Sequence, residues 1–129
     1  MVEKYGAENY IVDIGGEVRC RASTAGAMRG ASASRPFDGN MSNGEYLQKR
    51  VRLHDGGLAT SGNYRRFYLD GEGNKVAHTI DPRTGRSAVS RLLSVTVAAS
   101  TCAEADALGT MFPAMGADDA LAAAAAMPG

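Results

Sequence analysis

The stretch SVTVAASTCAEADALGT, residues 94–110, changes its hydrophobic period halfway along and thereby decides the fold class. A strand is predicted over residues 92–99, LLSVTVAA, because β-branched and apolar side chains dominate there. The next residues, Thr101-Cys102-Ala103-Glu104, fit a capping box. In it, the Thr101 hydroxyl accepts from the backbone N–H of Glu104, and the Glu104 side chain can reach back to the Thr101 backbone N–H. A strand that leads directly into a helix is therefore expected.

Two helices are predicted after that strand. The first runs through ADALGTMFPAM, where Pro113 is expected to bend or end it and Gly116 to stop it. The second is ADDALAAAAAM, which opens with Asp118 and Asp119 at the positive end of the helix dipole. Its alanine run favours helix, and Pro128-Gly129 is expected to terminate it.

Short strands and turns are predicted upstream of residue 92. A short buried strand is expected at residues 9–14, NYIVDI, stopped by Gly15-Gly16. A second strand is expected at residues 50–53, where Val51 and Leu53 alternate with arginines. By contrast, residues 21–49 lack apolar periodicity and predict a long loop that need not be ordered.

The middle of the chain predicts a hairpin. A turn at Thr60-Ser61-Gly62-Asn63 leads into a strand near residues 66–69, and residues 70–74, DGEGN, form the hairpin loop. The returning strand, KVAHTI, ends near His78. Strands followed by two helices predict an α+β fold with a mixed or antiparallel sheet, rather than a doubly wound one.

Composition excludes some partners. The 129 residues include 14 basic and 14 acidic side chains, with no basic stripe, so nucleic acid is not an expected partner. No apolar run approaches the roughly 20 residues that span a bilayer. The start of the chain lacks the parts of a signal peptide, which leaves localisation open if the chain is a fragment. Cys20 and Cys102 have no metal-finger spacing and are interpreted as small apolar residues.

Asp106 and Thr110 are the candidate metal ligands. They lie four residues apart on the first C-terminal helix and therefore share one face. A carboxylate and a hydroxyl could offer Mg²⁺ two oxygen ligands. The alternative is that Asp106 favours the start of a helix and that Thr110 has no special role.

The segment HTIDPRTG, residues 78–85, carries the candidate base. His78 could accept a proton near neutral pH, with Asp81 or Asp106 orienting its imidazole. Alternatively, His78 merely ends a strand and Asp81 starts the Pro82 turn. Arg83 could face phosphate or solvent, and solvent is favoured. Local rules alone favour the turn, and His54 is interpreted as a surface turn residue beside Asp55-Gly56.

Two glycine-containing segments are weaker candidates. The Thr60-Ser61-Gly62-Asn63 turn could offer backbone N–H groups to a phosphate. Gly15-Gly16 follows a strand but lacks the third glycine and the helix of a dinucleotide fingerprint.

Four segments in one order resemble a known family: NYIVDIGGEVR, ATSGNYRRFY, HTIDPRTGR and SVTVAASTCAEADALGT. The set is similar to the C-terminal half of the FAD:protein FMN transferases, the ApbE family, once described as thiamine-biosynthesis lipoproteins. The H-x-I-D-P-x-T-G and A-D-A-x-x-T patterns are the most specific. The resemblance covers residues 9–20 and about 51–127.

The resemblance implies an Mg²⁺-dependent enzyme that transfers FMN from FAD to a Ser or Thr hydroxyl of an acceptor flavoprotein and releases AMP. It implies that Asp106 and Thr110 bind the metal and that His78 is catalytic, with Asp81 holding its imidazole. It implies that the Ile80 backbone touches the nucleotide. It also implies that the FAD cleft is lined by Gly15, Gly16, Thr60, Ser61 and Gly62.

Two departures from the family pattern indicate whether residues 1–129 form a whole ApbE-like domain. The N-terminal half of the family, with its G-Y-x-x-D-type segment, is missing, and relatives continue beyond residue 129. Residues 21–49 also lack the usual tryptophan-containing strand. Residues 1–129 are therefore expected to be the C-terminal part of an incomplete ApbE-like domain.

The same resemblance leaves the activity and the location open to alternatives. FAD hydrolysis to FMN and AMP is one alternative, and a flavin-binding or structural fragment without activity is another. The resemblance places the parent protein in the bacterial cell envelope, facing the periplasm or the exterior and anchored through a lipid.

Overall fold

The computed structural model describes residues 3–21, 51, 53–62, 67–73, 75–88 and 91–127, within two compact units. Unit one comprises Met1–Thr60 and Thr96–Asp106, and unit two comprises Ser61–Val95 and Ala107–Gly129. After a 3-10 turn at Glu3–Tyr5, the described strands and helices are β1 (Tyr10–Ile14), β2 (Glu17–Arg21), β3 (Asp55–Gly62), β4 (Phe67–Leu69), β5 (Lys75–Ala77), β6 (Ile80–Asp81), β7 (Arg86–Ser87), β8 (Ser94–Ala99), α1 (Cys102–Met115) and α2 (Ala117–Ala126).

The predicted α+β class is confirmed. Strands precede two C-terminal helices, and four of the strand pairs are antiparallel: β1 with β2, β2 with β3, β4 with β5 and β6 with β7. Among the described residues, no helix is both long and apolar enough to cross a bilayer.

The sheet of unit one has the strand order β1-β2-β3-β8. The predicted strand at residues 9–14 is present as β1, but the prediction that it is buried is wrong. As the edge strand it leaves Ile11 44% and Ile14 73% exposed. The apolar run therefore reflected the preference of β-branched residues for strands rather than burial on both faces.

Strand β2 was not predicted, although its pattern was visible. Val18 and Cys20 alternate with Arg19 and Arg21, the period of two that a strand requires. The Gly15-Gly16 turn links β1 to β2, so it connects two strands instead of ending the element. Of the predicted loop at 21–49, Arg21 ends β2 and the remainder lies outside the described residues.

Strand β3 begins later and ends later than predicted. Val51 and Leu53 lie in no strand, and β3 starts at Asp55. Thr60, Ser61 and Gly62 were predicted as a turn, but they form the last three residues of β3. Gly62 is typical of a turn in sequence, but glycine also occurs inside strands.

A close approach of this kind fixes the start of α1 in unit one. A methyl group built on Gly57 would lie 2.5 Å from the carbonyl carbon of Thr101 and 2.6 Å from the Cα of Cys102. A methyl group on Gly56 would lie 2.6 Å from the carbonyl oxygen of Ala99. The glycines thus let the end of β8 and the first turn of α1 lie directly on the backbone of β3. We call this region the β3–α1 corner (Gly56–Gly57 with Ala99–Cys102).

Small residues dominate the buried positions around the corner. Ala59 and Ala105 are fully buried, and Leu58 is 3% exposed. Cys20 is 1% exposed, and its thiol donates to the Leu53 carbonyl at 3.4 Å. Burial raises the pKa of the Cys20 thiol, with Arg19 opposing and Asp55 and Cys102 assisting. This agrees with the interpretation of Cys20 as a buried apolar residue.

The predicted cap of α1 is confirmed in part. The backbone N–H of Glu104 donates to the Thr101 hydroxyl at 3.1 Å. The Glu104 carboxylate accepts from the Ser100 hydroxyl at 2.7 Å, so its reach-back bond goes to a side chain. Helix α1 passes Pro113 and continues to Met115, and Gly116, with φ of 90°, follows its end as expected.

Unit two contains two short hairpins and most of the helical residues. The β4–β5 hairpin confirms the predicted loop, since the Gly73 N–H donates to the Asp70 carbonyl at 3.0 Å. The β6–β7 hairpin begins within the HTIDPRTG segment and ends just after it, at Ser87. Among the described apolar residues of this unit, Ala88, Phe112 and Ala120 are buried.

Candidate functional site

The HTIDPRTG segment contains a bend, strand β6 and the tight turn that leads into β7. His78 comes directly after β5, and its side chain is exposed. The N–H groups of Thr84 and Gly85 both donate to the Asp81 carbonyl, at 3.2 and 2.8 Å. The predicted turn is thus confirmed, with residues 82–85 reversing the chain between β6 and β7.

The Asp81 carboxylate belongs to that turn. Its Oδ1 accepts from the Arg83 backbone N–H at 2.9 Å and from Arg83 Nε at 3.1 Å, and its Oδ2 accepts from Arg83 Nη2 at 3.1 Å. These bonds, the side-chain ones first, lower the pKa of Asp81. The Asp81 carboxylate in turn raises the pKa of Arg83. Both carboxylate oxygens thus bind Arg83. Orientation of the His78 imidazole by Asp81 stays a prediction.

The Arg83 side chain is exposed to solvent and also forms ion pairs. Its side chain is 65% exposed, and its Nη1 lies 3.9 Å from the Asp119 carboxylate. The Asp81–Arg83 contact thus neutralises the turn while the guanidinium remains largely in water.

The backbone around His78 is held from both sides. The Ser87 hydroxyl donates to the Ala77 carbonyl at 2.8 Å. The Ala88 N–H donates to the Thr79 carbonyl, also at 2.8 Å. Sequence reasoning missed Ser87, and only its position two residues after Gly85 could have suggested a role.

Asp106 and Thr110 lie one turn apart on α1, and both are exposed. Their carboxylate and hydroxyl are hard oxygen donors of the kind that Mg²⁺ prefers, so the donor chemistry fits. In the described part of the chain, no group of three or more His, Cys, Asp or Glu is placed to hold a metal ion. These residues therefore offer two ligands, and Mg²⁺ ordinarily completes its six with waters and phosphate oxygens.

Ser61 contacts the helix residue that precedes Thr110. A methyl group built on Gly109 would lie 3.2 Å from the Ser61 hydroxyl oxygen. Unit two thus brings the T-S-G and A-D-A-x-x-T motifs together at Ser61 and Gly109. Sequence spacing could not have revealed this contact across 48 positions.

Thr60 has a different neighbour. Its hydroxyl lies 3.0 Å from the Thr96 hydroxyl in unit one. Thr96 was not singled out from the sequence, and the signal would have been its place in the alternating strand SVTVAA.

Two further candidates lie on exposed backbone. The Gly16 N–H donates to the Asp13 carboxylate at 3.0 Å and so closes the β1–β2 turn. Ile80 is 52% exposed and pairs with Ser87 across the β6–β7 hairpin.

The predicted site residues are divided between the two units. Unit one carries Gly15, Gly16, Thr60 and Asp106, and unit two carries Ser61, Gly62, His78, Ile80, Asp81 and Thr110.

Comparison with known proteins links these motifs to one family. The sequence profile described as the ApbE family matches residues 1–129. The chain is similar to the FAD:protein FMN transferase of Vibrio cholerae, with 36% identity over 126 residues, which cover 97% of this chain and 36% of that protein. It is 35% identical to the Escherichia coli K12 protein of the same name, over 93% of this chain and 33% of the relative.

Solved structures show the same likeness. The Pseudomonas stutzeri flavinyl transferase ApbE superposes with a TM-score of 0.73 and 28% identity, over 94% of this chain and 36% of that one. The flavin transferase ApbE of Vibrio cholerae gives 0.63 and 33% identity, over 94% and 37%. The chain thus spans about a third of the length of its curated relatives. The resemblance read from the four motifs is confirmed.

Proposed function

The chain belongs to the ApbE family, and on that basis we propose that its protein transfers FMN from FAD to a Ser or Thr hydroxyl of an acceptor flavoprotein. AMP is the second product. The family match over residues 1–129 carries the proposal. The motif resemblance, which assigns roles to His78, Asp106 and Thr110, supports it. Relatives that bear the name FAD:protein FMN transferase support it.

The reaction requires a proton acceptor for the attacking hydroxyl. The acceptor oxygen attacks the phosphorus on the FMN side of the pyrophosphate, forming a P–O bond while the bond to the bridging oxygen breaks. AMP departs with that oxygen, and the hydroxyl proton passes to the His78 imidazole. A neutral Ser or Thr hydroxyl is a weak nucleophile, so a base within hydrogen-bond reach contributes directly. The His78 side chain is exposed at the end of β5.

Asp106 and Thr110 would hold Mg²⁺ at the phosphates. Their side chains supply a carboxylate and a hydroxyl from adjacent turns of α1. When bound, Mg²⁺ neutralises charge on the pyrophosphate oxygens as a Lewis acid. The protein's contribution is positioning, which dominates phosphoryl transfer generally.

The remaining site residues would bind FAD. The Ile80 backbone would contact the nucleotide, and five residues from two segments would line the cleft: Gly15, Gly16, Thr60, Ser61 and Gly62. Asp81 would hold the His78 imidazole in the tautomer that accepts the proton, beside the bonds that its carboxylate makes with Arg83.

Covalent flavin fluorescence tests the proposal. The full-length protein is incubated with FAD, Mg²⁺ and an acceptor flavoprotein, and the acceptor is separated on a denaturing gel. A fluorescent acceptor band is expected, and a dark band with an authentic acceptor would rule the transfer out. FMN and AMP formed without acceptor would favour FAD hydrolysis instead.

A matched pair of aspartates tests the metal ligands. Asp106→Ala is expected to lower Mg²⁺-dependent turnover at least 100-fold, the scale of losing a group that acts on the reacting phosphates. The control is Asp118→Ala, which removes an exposed helical aspartate 3.7 Å from Arg91 and should change turnover less than twofold. Retained turnover in Asp106→Ala would remove that residue from the metal site.

The location of the protein is a further part of the proposal. The ApbE resemblance supports a lipid-anchored protein of the bacterial cell envelope. Fractionation of the source cells should recover the protein with membranes, and detergent should release it. Recovery in the soluble fraction alone would contradict the anchor.

A further inference from the structure

The Ser87 hydroxyl joins β7 to the end of β5. Ser87 lies opposite Ile80 in the β6–β7 hairpin, and its hydroxyl donates to the Ala77 carbonyl at 2.8 Å. The side chain is half-buried, which shields this bond from competing water. Ala77 immediately precedes His78, so the bond holds the peptide group that joins Ala77 to His78.

The neighbour of Ser87 holds the other side of the same residue. The Ala88 N–H donates to the Thr79 carbonyl at 2.8 Å, and Ala88 is buried. Two consecutive residues therefore bind the carbonyls that flank His78. The short bend between β5 and β6 is thereby tied down on both sides, although the His78 side chain itself is exposed.

The ion pair of the hairpin acts elsewhere. The Asp81–Arg83 bonds hold residues 81–85 and involve neither flanking carbonyl. The bond from Ser87 comes from its side chain, whereas the bond from Ala88 comes from the backbone. A substitution at Ser87 can therefore remove this side-chain bond and leave the backbone pairing of β6 with β7 in place.

We propose that Ser87 is a positioning residue for His78, holding its backbone so that the imidazole meets the attacking hydroxyl. The inference rests on the proposed role of His78 as the base. Ser87 itself touches no substrate in this scheme. Proton transfer needs the base within hydrogen-bond distance, and a displacement of about 1 Å can cost up to 100-fold in rate.

A pair of variants of nearly equal shape tests the hydroxyl. Ser87→Val removes it, and Ser87→Thr keeps it with the same branching. In the FAD-dependent transfer assay, Ser87→Val should lower kcat between about 10- and 100-fold with the KM for FAD within twofold, and Ser87→Thr should restore most of kcat. Ser87→Ala gives the same comparison if valine does not fit. Ser100→Ala is the control, because it removes a 2.7 Å hydroxyl bond at the start of α1.

A double-mutant cycle with His78→Ala separates positioning from a general structural role. Two residues that act through one group show non-additive effects. Ser87→Val should therefore add less than a twofold loss once His78 is alanine. Additive losses, or full activity of Ser87→Val beside an inactive His78→Ala, would overturn the Ser87 assignment alone. Full activity of His78→Ala would overturn the proposed base and, with it, the inference.

Discussion

The β3–α1 corner and the β6–β7 hairpin hold their residues in opposite ways. In the corner, the backbone of β3 meets the start of α1 so closely that a Gly57 side chain would strike Thr101 and Cys102. In the hairpin, the chain is exposed, and bonds from Arg83, Thr84 and Gly85 to Asp81 set its shape. Close backbone packing therefore holds the start of α1, the helix that carries Asp106, whereas hydrogen bonds from Ser87 and Ala88 hold the backbone on either side of His78.

This difference predicts which measurement each region controls. Changes in the corner should act mainly on the free energy of unfolding, because close-packed backbone cannot yield cheaply. Changes at Ser87, which follows the turn, should act mainly on activity, because the Ser87 hydroxyl binds the carbonyl that precedes His78. The following substitutions test the contrast from the largest expected effect on stability to the smallest.

Gly57→Ala should destabilise the protein most. The new methyl group would lie 2.6 Å from the Cys102 Cα, a backbone atom, so β3 or α1 must shift. We expect a loss of about 3 kcal/mol, the upper range for overpacking, measured by denaturant unfolding. Gly71→Ala is the matched control, because a methyl group there meets nothing within 4 Å. Equal effects of the two changes would refute the close contact.

Gly85→Ala should cost less and for another reason. No atom lies within 4 Å of the added methyl group, but φ at this position is +66°. A left-handed backbone costs an L-residue roughly 1–2 kcal/mol. Gly85→Asn should be milder, since Asn tolerates this conformation, and alanine and asparagine variants of equal thermal midpoint would contradict the explanation.

Thr101→Ala should cost about 1 kcal/mol, the usual value of an N-cap. The change removes the hydroxyl that accepts from the Glu104 N–H. Thr101→Ser keeps the acceptor and should retain most of the stability. The thermal midpoints of the two variants are compared. An alanine variant as stable as the serine variant would show that the cap does not stabilise the protein.

Asp81→Asn should have a small, pH-dependent effect. The Arg83 bonds lower the pKa of Asp81 in the folded chain. Such a group stabilises the fold above its unfolded pKa of about 3.9, and the contribution disappears as pH falls through the lowered folded value. Wild type should therefore exceed the variant in thermal midpoint at pH 7 and converge with it in acid.

Asp118→Asn is the control for the pH dependence of the thermal midpoint. Its partner Arg91 lies 3.7 Å away, and the two side chains are 90% and 85% exposed, so solvent screens the pair. A difference between wild type and Asp81→Asn that stays constant from neutral pH into acid would contradict the carboxylate explanation.

Local signals explain why much of the fold could be predicted. The cap at Thr101, the stop at Gly116 and the loop at Asp70–Gly73 depend on neighbouring residues alone. The burial of β1 could not be read in this way, because an edge strand and a central strand share the same β-branched composition.

Long-range contacts explain what the sequence left open at the candidate site. The contact of Ser61 with Gly109 and the 3.0 Å approach of Thr60 to Thr96 join residues far apart in the chain. The Ser87 bond to Ala77 is nearer, but serine carries no sequence pattern that announces it. Family resemblance located His78, Asp106 and Thr110, whereas their supports needed the structure.

The ratio of AMP released to FMN bound covalently tests the central claim most directly. The full-length protein, FAD, Mg²⁺ and an acceptor flavoprotein are mixed, and both products are quantified over time. Transfer with His78 as base predicts one AMP for each FMN on the acceptor, and loss of both in His78→Ala. AMP and free FMN without covalent flavin, or an unchanged ratio and rate in His78→Ala, would contradict it.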